Sequence, residues 1–136
     1  MCIIAANVSA KDYSKSETFA EKMLLDPAYN MGILSADVSI NTQQVTFNCI
    51  TGISSQDPDA QLGQFRTFLG GTLVIYKGLV NAAPEVGDLL IVTKNTNQPT
   101  VATLSCPKNR IKGIDVTNED AMNELMDEVL QTMKEA

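Results

Sequence analysis

The chain of 136 residues contains no histidine. Histidine is the side chain whose unperturbed pKa lies closest to neutral pH, and it carries much of the proton transfer and metal binding in proteins. Its absence excludes Ser-His-Asp and Cys-His catalysis, histidine-ligated zinc and histidine-dependent haem sites. We therefore expect a protein that is not an enzyme, with no catalytic, cofactor-binding or metal-ligating residues and no cofactor.

The sequence also lacks the short motifs of metal and nucleotide sites. Its three cysteines, Cys2, Cys49 and Cys106, form no CxxC pair, which excludes a zinc knuckle and a thioredoxin-type motif. Gly70 and Gly71 belong to neither of the glycine patterns that bind phosphate. Because no histidine is present to activate a thiol, we interpret Cys49, which alternates with apolar residues, as part of the core.

Long apolar runs are missing as well. The run Cys2–Ala6 is too short for a secretion signal or a membrane span, and no other run is longer and apolar enough. We expect a protein made in the cytoplasm without a signal peptide, with reduced thiols and no membrane span.

Charged residues make up only 19% of the chain, and the net charge is −6. Residues 117–136 contain six acids and one lysine, whereas the other residues contain ten acids and nine bases. The body is therefore nearly neutral, and the acidity is concentrated at the C-terminal end. A neutral body lacks the basic face that phosphate contacts require, so nucleic-acid binding is not expected.

The length and a hydrophobic content of 44% predict one domain over residues 1–136. The pattern favours the α+β class, with an antiparallel sheet, sandwich or small barrel of about six strands and two to three flanking helices. Residues 1–10 are predicted to form a short strand or an extended N-terminal arm. The other strands are predicted over residues 33–40, 44–53, 72–79, 87–94, 100–106 and 108–116.

Capping residues and apolar spacing predict helices over residues 15–25, 57–69 and 118–135. In the second helix Asp57 is the expected N-cap and Pro58 occupies the first turn, and the pair Gly70 and Gly71 is expected to end it. The third helix is amphipathic, because its apolar residues recur at helical spacing behind the expected N-cap Thr117.

Two predicted strands contain nearly continuous apolar runs, Leu73–Tyr76 and Leu89–Val92. Such runs indicate burial on both faces of a sheet. One face would pack against a helix or a second sheet, and the other would be a subunit contact. The strand over residues 44–53 alternates instead, with Val45, Phe47 and Cys49 on one face and Thr46, Asn48 and Ile50 on the other.

The clearest charge pattern is the alternation of Lys108, Arg110 and Lys112, which a strand would place on one face. We predict that this basic stripe contacts the acidic C-terminal helix of a neighbouring subunit, or phosphate. The acidic partners in that helix would be Glu124, Asp127 and Glu128. The alternative is a solvated edge strand whose charges deter aggregation.

The C-terminal helix also contains three methionines in its apolar stripe, Met122, Met126 and Met133. Methionine adapts to irregular surfaces, so these residues are candidates for contact with a partner; the alternative is an ordinary core-facing stripe. The acidic pairs Asp57 with Asp59 and Glu119 with Asp120 are interpreted as helix starts rather than cation sites.

These features favour a non-catalytic structural or assembly protein that forms homo-oligomers, with a bacteriophage virion component of the tail-tube, head-decoration or connector type as its specific form. Complementary charged patches suit ring assembly. The alternative is a regulatory module that binds a peptide or small ligand. A third hypothesis is an enzyme that works through lysine and carboxylates such as Asp37, Glu85 and Asp88, which would need two of them in one cleft.

Overall fold

The computed structural model describes residues 12–29, 31–53, 57–96 and 98–136. The predicted N-terminal arm over residues 1–10 lies outside them. The helices are α1 (Ser14–Leu25), α2 (Pro58–Ala82), α3 (Lys108–Lys112) and α4 (Glu119–Leu130), with one 3-10 turn at Pro27–Tyr29. The strands are β1 (Ile33–Ile40), β2 (Gln44–Thr51), β3 (Asp88–Asn95), β4 (Val101–Cys106) and β5 (Lys134–Glu135).

The strands form one open sheet in the order β1-β2-β3-β4-β5. The α+β class and the flanking helices are confirmed, but the sheet has five strands rather than six and is neither a sandwich nor a closed barrel. It is also mixed rather than antiparallel, because β2 and β3 run parallel while the other neighbours are antiparallel. Helix α2 makes the crossover that a parallel pair requires.

One face of the sheet packs on the helices, and we call it the helix-covered face. The predicted alternation of β2 is confirmed: Val45, Phe47 and Cys49 are fully buried there, whereas Asn48 and Ile50 are exposed on the opposite side. The register continues this division, because Phe47 pairs with Ile91 and Ile91 with Leu104, all three buried.

The prediction of a strand over residues 72–79 is wrong, because α2 continues through Gly70 and Gly71 to Ala82. Asp57 caps this helix as predicted, accepting a hydrogen bond from the Asp59 amide at 3.1 Å. The apolar run Leu73–Tyr76 has strand propensity, but it forms a helix because burial of Leu73, Ile75 and Tyr76 outweighs that propensity. Gly71 allows the Met31 side chain to pack closely against α2, because a Cβ at position 71 would lie 2.0 Å from Met31 Sδ.

The prediction of a strand over residues 108–116 is also wrong, because these residues begin with the short helix α3. The C-terminal helix is confirmed as amphipathic but spans Glu119–Leu130, and the chain then forms β5 beside β4. Its N-cap is Asn118, whose side chain accepts from the Ala121 amide. Thr117 instead donates its hydroxyl to Asp115.

Helix α1 lies along the free edge of β1. The Glu17 carboxylate accepts a hydrogen bond from the Ile40 amide, and the Glu21 carboxylate accepts one from the Val38 amide, both at 2.9 Å. These side chains pair amides that an edge strand otherwise leaves open. Ala20 and Leu24 face the core, whereas Phe19 is 62% exposed.

Across the part of the chain that the structure describes, no helix is both long enough and apolar enough to cross a membrane.

Candidate functional site

The predicted basic stripe lies on α3 and is held within the chain. Arg110 donates from Nε to Glu128 Oε1 at 2.8 Å and also forms an ion pair with Oε2 of the same carboxylate. The Lys108 amide donates to Asp88 Oδ1 at 2.8 Å, and its ammonium donates to the Pro84 carbonyl at 2.9 Å. Helical geometry therefore turns Lys108 and Arg110 toward different partners, while Lys112 is exposed.

Opposite charges also meet between α2 and α4. Arg66 Nη1 lies 2.8 Å from Asp127 Oδ1, and its Nη2 donates to Asn123 Oδ1 at 3.3 Å. The hydrogen bond from Arg110 lowers the pKa of the Glu128 carboxyl. Of the acids predicted to contact a neighbouring subunit, Asp127 and Glu128 therefore have hydrogen-bonded partners inside this chain. Glu124 is exposed and makes no hydrogen bond or ion pair with the described residues, although its charge acts on Arg110. Their role in an interface stays a prediction.

The methionines of the C-terminal region divide into two sets. Met122 and Met126 are 7% and 9% exposed and belong to the core, which agrees with the alternative interpretation as a core-facing stripe. Met133 follows the end of α4 and is 44% exposed. Only Met133 therefore remains available for contact with a partner.

Two of the three thiols lie in the core. Cys49 and Cys106 are fully buried and unbridged, and burial raises the pKa of each thiol to about 12. A thiol held in its protonated form is a poor nucleophile, which agrees with the interpretation of Cys49 as a core residue. Cys2 lies outside the described residues.

The carboxylates considered for catalysis or cation binding are dispersed. Asp37 on β1 pairs in register with Asn48, whereas Asp88 on β3 pairs with Gln44. The two aspartates are therefore two strands apart and are offset by about 13 Å along the strand direction. Glu85 accepts a hydrogen bond from the Tyr13 hydroxyl at 2.7 Å. Among the described residues, no group of three or more potential ligands is placed to hold a metal ion.

No helix of the described residues covers the second face of the sheet, and we call it the open face. Leu90 and Val92 of β3 form its centre and are only half-buried, and Ile50 beside them is 38% exposed. By register, its charged residues on β1 and β3 are Asp37, Asp88 and Lys94, and Asp88 accepts a hydrogen bond from the Lys108 amide. Asp37 and Lys94 have no ion-pair partner within the described ranges. The predicted burial of the apolar run of β3 is therefore found on the helix-covered face, whereas burial on the open face stays a prediction.

A groove of about 590 Å³ lies at the end of the helix-covered face. Its floor is formed where the parallel strands β2 and β3 end, with Thr51 and Thr93 among the floor residues. The first turns of α2 form one wall and the residues after α4 form the other. In open sheets, the carboxyl ends of parallel strands are a recurrent place for ligands, because the crossover loop leaves a crevice there.

Asn95 holds the rim of the groove in place. Its side-chain oxygen accepts hydrogen bonds from the Ile53 amide at 2.9 Å and the Thr51 hydroxyl at 3.3 Å, and its amide donates to the Ile53 carbonyl at 3.0 Å. These bonds tie the loop after β2 to the end of β3. The groove is therefore built on fixed strand ends.

The sequence pattern of α2 gives little sign of the groove. Leu62 and Phe65 recur at helical spacing, as core-facing residues do, but Leu62 is 52% exposed and both line the groove. Thr51 and Thr93 do carry a signal. Each is a polar residue at an inward position of an alternating strand, where an apolar residue would ordinarily stand.

Comparison with known proteins adds nothing to these surfaces: no protein-family model, no curated protein and no solved structure matches the chain. The open face and the groove are therefore the features from which a function can be inferred.

Proposed function

We propose that this protein is a non-catalytic assembly protein whose copies associate through the open face of the sheet. The observation that carries the proposal is a parallel pair of strands, β2 and β3, which the helices of the described residues cover on one side only. Parallel strands are ordinarily covered on both faces. Leu90, Val92 and Ile50 supply the apolar surface that a second layer would bury.

A second copy of the chain suits this face because its charges are self-complementary. Asp37 on β1 and Lys94 on β3 lie on either side of β2. If the two-fold axis runs parallel to β2 between the two open faces, β1 of each copy lies opposite β3 of the other copy. Each Asp37 then comes within reach of the Lys94 of the second copy, and the two Ile50 side chains meet near the axis. Opposite charges across a contact also fix its orientation.

The size of the open face is adequate for such a contact. Four strands of about eight residues cover roughly 500 Å² in projection, from a rise of about 3.3 Å and a spacing of about 4.8 Å. The accessible surface of a corrugated face is larger than its projection. A stable interface buries about 800 Å² on each partner, so the open face is of the required order. A virion role is a more specific prediction that this geometry leaves untested.

Charge exchange across the open face tests the proposal. We expect Asp37→Lys to weaken self-association, because a lysine at position 37 of each copy would then repel Lys94 of the other copy. Lys94→Asp should weaken it as well, because two aspartates would then repel each other at each of these contacts. The double variant Asp37→Lys with Lys94→Asp should restore it. The measurement is the solution mass by light scattering at two protein and two salt concentrations, since screening reduces these effects.

The matched control is Lys22→Asp, an exposed lysine on α1 whose reversal changes the net charge as Lys94→Asp does. It should leave the solution mass unchanged. A wild-type protein that is monomeric under all four conditions contradicts the proposal. So does an oligomer that neither single variant weakens.

A further inference from the structure

The groove at the ends of β2 and β3 contains the hydroxyl of Thr93, which has no partner among the described residues. Thr93 is only 5% exposed, yet its side chain makes no hydrogen bond with the described residues. Its oxygen is not fully enclosed either, because no enclosed side-chain oxygen of the described residues lacks a partner. Since Thr93 lines the groove, its hydroxyl opens into that space.

Because the Thr93 oxygen opens into the groove, water reaches it there, and a polar atom of a ligand can replace that water. Thr51, the neighbouring floor residue, differs, because its hydroxyl donates to Asn95. Thr93 is therefore placed to donate to, or accept from, a polar atom that enters the groove.

The walls above Thr93 are apolar. Leu62 and Phe65 of α2 face Leu130 and Met133 across the groove. Leu62 and Met133 are 52% and 44% exposed, so both have apolar surface that a ligand would cover. Methionine adapts its shape to a ligand, and an aromatic ring such as Phe65 stacks on flat molecules.

We propose that this groove binds an uncharged, flat, largely apolar small molecule with one carbonyl or hydroxyl oxygen, which hydrogen-bonds to Thr93. A groove of about 590 Å³ is within the range of small-molecule sites. The floor carries no charge, and the charged residues of the lining, Lys134 and Glu135, are exposed on β5. A charged ligand would therefore lose hydration at the floor without gaining a partner there.

The test compares two probes that differ in one polar atom. The first is 2-acetylnaphthalene, whose carbonyl can accept from Thr93, and the second is 2-ethylnaphthalene, which has no polar atom. Their Kd values are measured by NMR titration of the isotope-labelled full chain. The variant Thr93→Val keeps the shape of the side chain and removes its hydroxyl.

We expect both probes to bind the wild-type protein. Thr93→Val should raise the Kd of 2-acetylnaphthalene about five-fold relative to the Kd of 2-ethylnaphthalene, as expected for the loss of one neutral hydrogen bond. The control Thr103→Val removes a hydroxyl from the other face of the sheet and should leave the ratio unchanged. An unchanged ratio in Thr93→Val, or no binding of either probe to the wild-type protein, overturns the proposal.

A second pair of variants decides the matter if Thr93→Val does not fold. Leu62→Asn and Val74→Asn both replace an exposed apolar residue of α2, but only Leu62 borders the groove. We expect Leu62→Asn to weaken both probes several-fold and Val74→Asn to leave them unchanged. Equal effects of the two variants would overturn the proposal. The groove lies on the helix-covered side, so its test is independent of association through the open face.

Discussion

Gly87 stands where the chain leaves the turn after α2 and enters β3. Its amide donates to the Asn41 carbonyl at 3.0 Å, and its carbonyl accepts a buried hydrogen bond from the Tyr76 hydroxyl at 2.7 Å. A Cβ at this position would lie 2.2 Å from the backbone of Gln43. This close approach joins the β1–β2 turn to the start of β3, and only glycine permits it without moving backbone atoms.

We expect Gly87→Ala to lower the free energy of unfolding by about 2 kcal/mol or more, because the obstructing atoms are backbone and cannot rotate away. The control is Gly78→Ala, at an exposed position of α2 where an added Cβ has no neighbour within 4 Å. That variant should gain about 0.5–1 kcal/mol from the better helix propensity of alanine. Urea denaturation measures both, and a loss in Gly78→Ala as large as in Gly87→Ala would contradict this account.

The buried thiols make stability depend on alkaline pH. Burial raises the pKa of Cys49 and of Cys106 to about 12, whereas a thiol in the unfolded chain ionises near pH 8.5. Above pH 8.5 the unfolded chain therefore holds fewer protons than the folded one. The stabilisation is complete below that pH and is lost as pH rises toward about 12.

We expect the free energy of unfolding to fall between pH 8.5 and pH 10 by at most about 1.4 kcal/mol per pH unit for each thiol. The double variant Cys49→Ala with Cys106→Ala should be less stable at pH 7, because small cavities form, but its stability should fall less steeply with pH. Urea denaturation at three pH values gives the slopes. Equal slopes for the two proteins would rule out the thiols as the cause.

At the scale of elements, α1 is a cover for the edge of β1. Residues four apart on a helix are separated by about 6 Å along its axis, and alternate residues of a strand by about 6.6 Å. Glu17 and Glu21 therefore match the spacing of the Ile40 and Val38 amides, and α1 runs opposite to β1. The match explains how one helix face satisfies two edge amides.

We expect the double variant Glu17→Ala with Glu21→Ala to lose about 2–4 kcal/mol, because two half-buried amides lose their acceptors. The double variant with glutamine at both positions keeps an acceptor oxygen at each and should lose less than half as much. Urea denaturation measures the difference. If the glutamine variant is as unstable as the alanine variant, the hydrogen bonds are not what α1 contributes.

At the scale of the whole molecule, all the covering helices lie on one side of a mixed sheet. This asymmetry creates both surfaces proposed here. The open face results because the crossover helix α2 covers β2 and β3 from one side only, and the groove results because α2 starts beyond the strand ends. Association and ligand binding would therefore use opposite sides of the sheet and need not compete.

The ion pairs between α2, α3 and α4 show why an interface could not be read from charge pattern alone. The alternation of Lys108, Arg110 and Lys112 is typical of a strand. A segment of only five residues also forms a helix, however, when tertiary packing favours the helix over the strand. The Arg110–Glu128 pair then forms across 18 positions of sequence. Sequence showed that opposite charges were present, and only the fold showed that they meet inside one chain.

By itself, the sequence determined the features that depend on a few neighbouring residues. These are the strands β1 and β2, the two faces of β2, the Asp57 cap and the amphipathic α4, because alternation, helical spacing and capping act within about four residues. Only the tertiary structure decided the length of α2, the parallel pairing of β2 with β3, the ion pair of Arg110 and the groove around Thr93. Each of these depends on burial or contact between residues far apart in the chain, where packing energy exceeds local propensity.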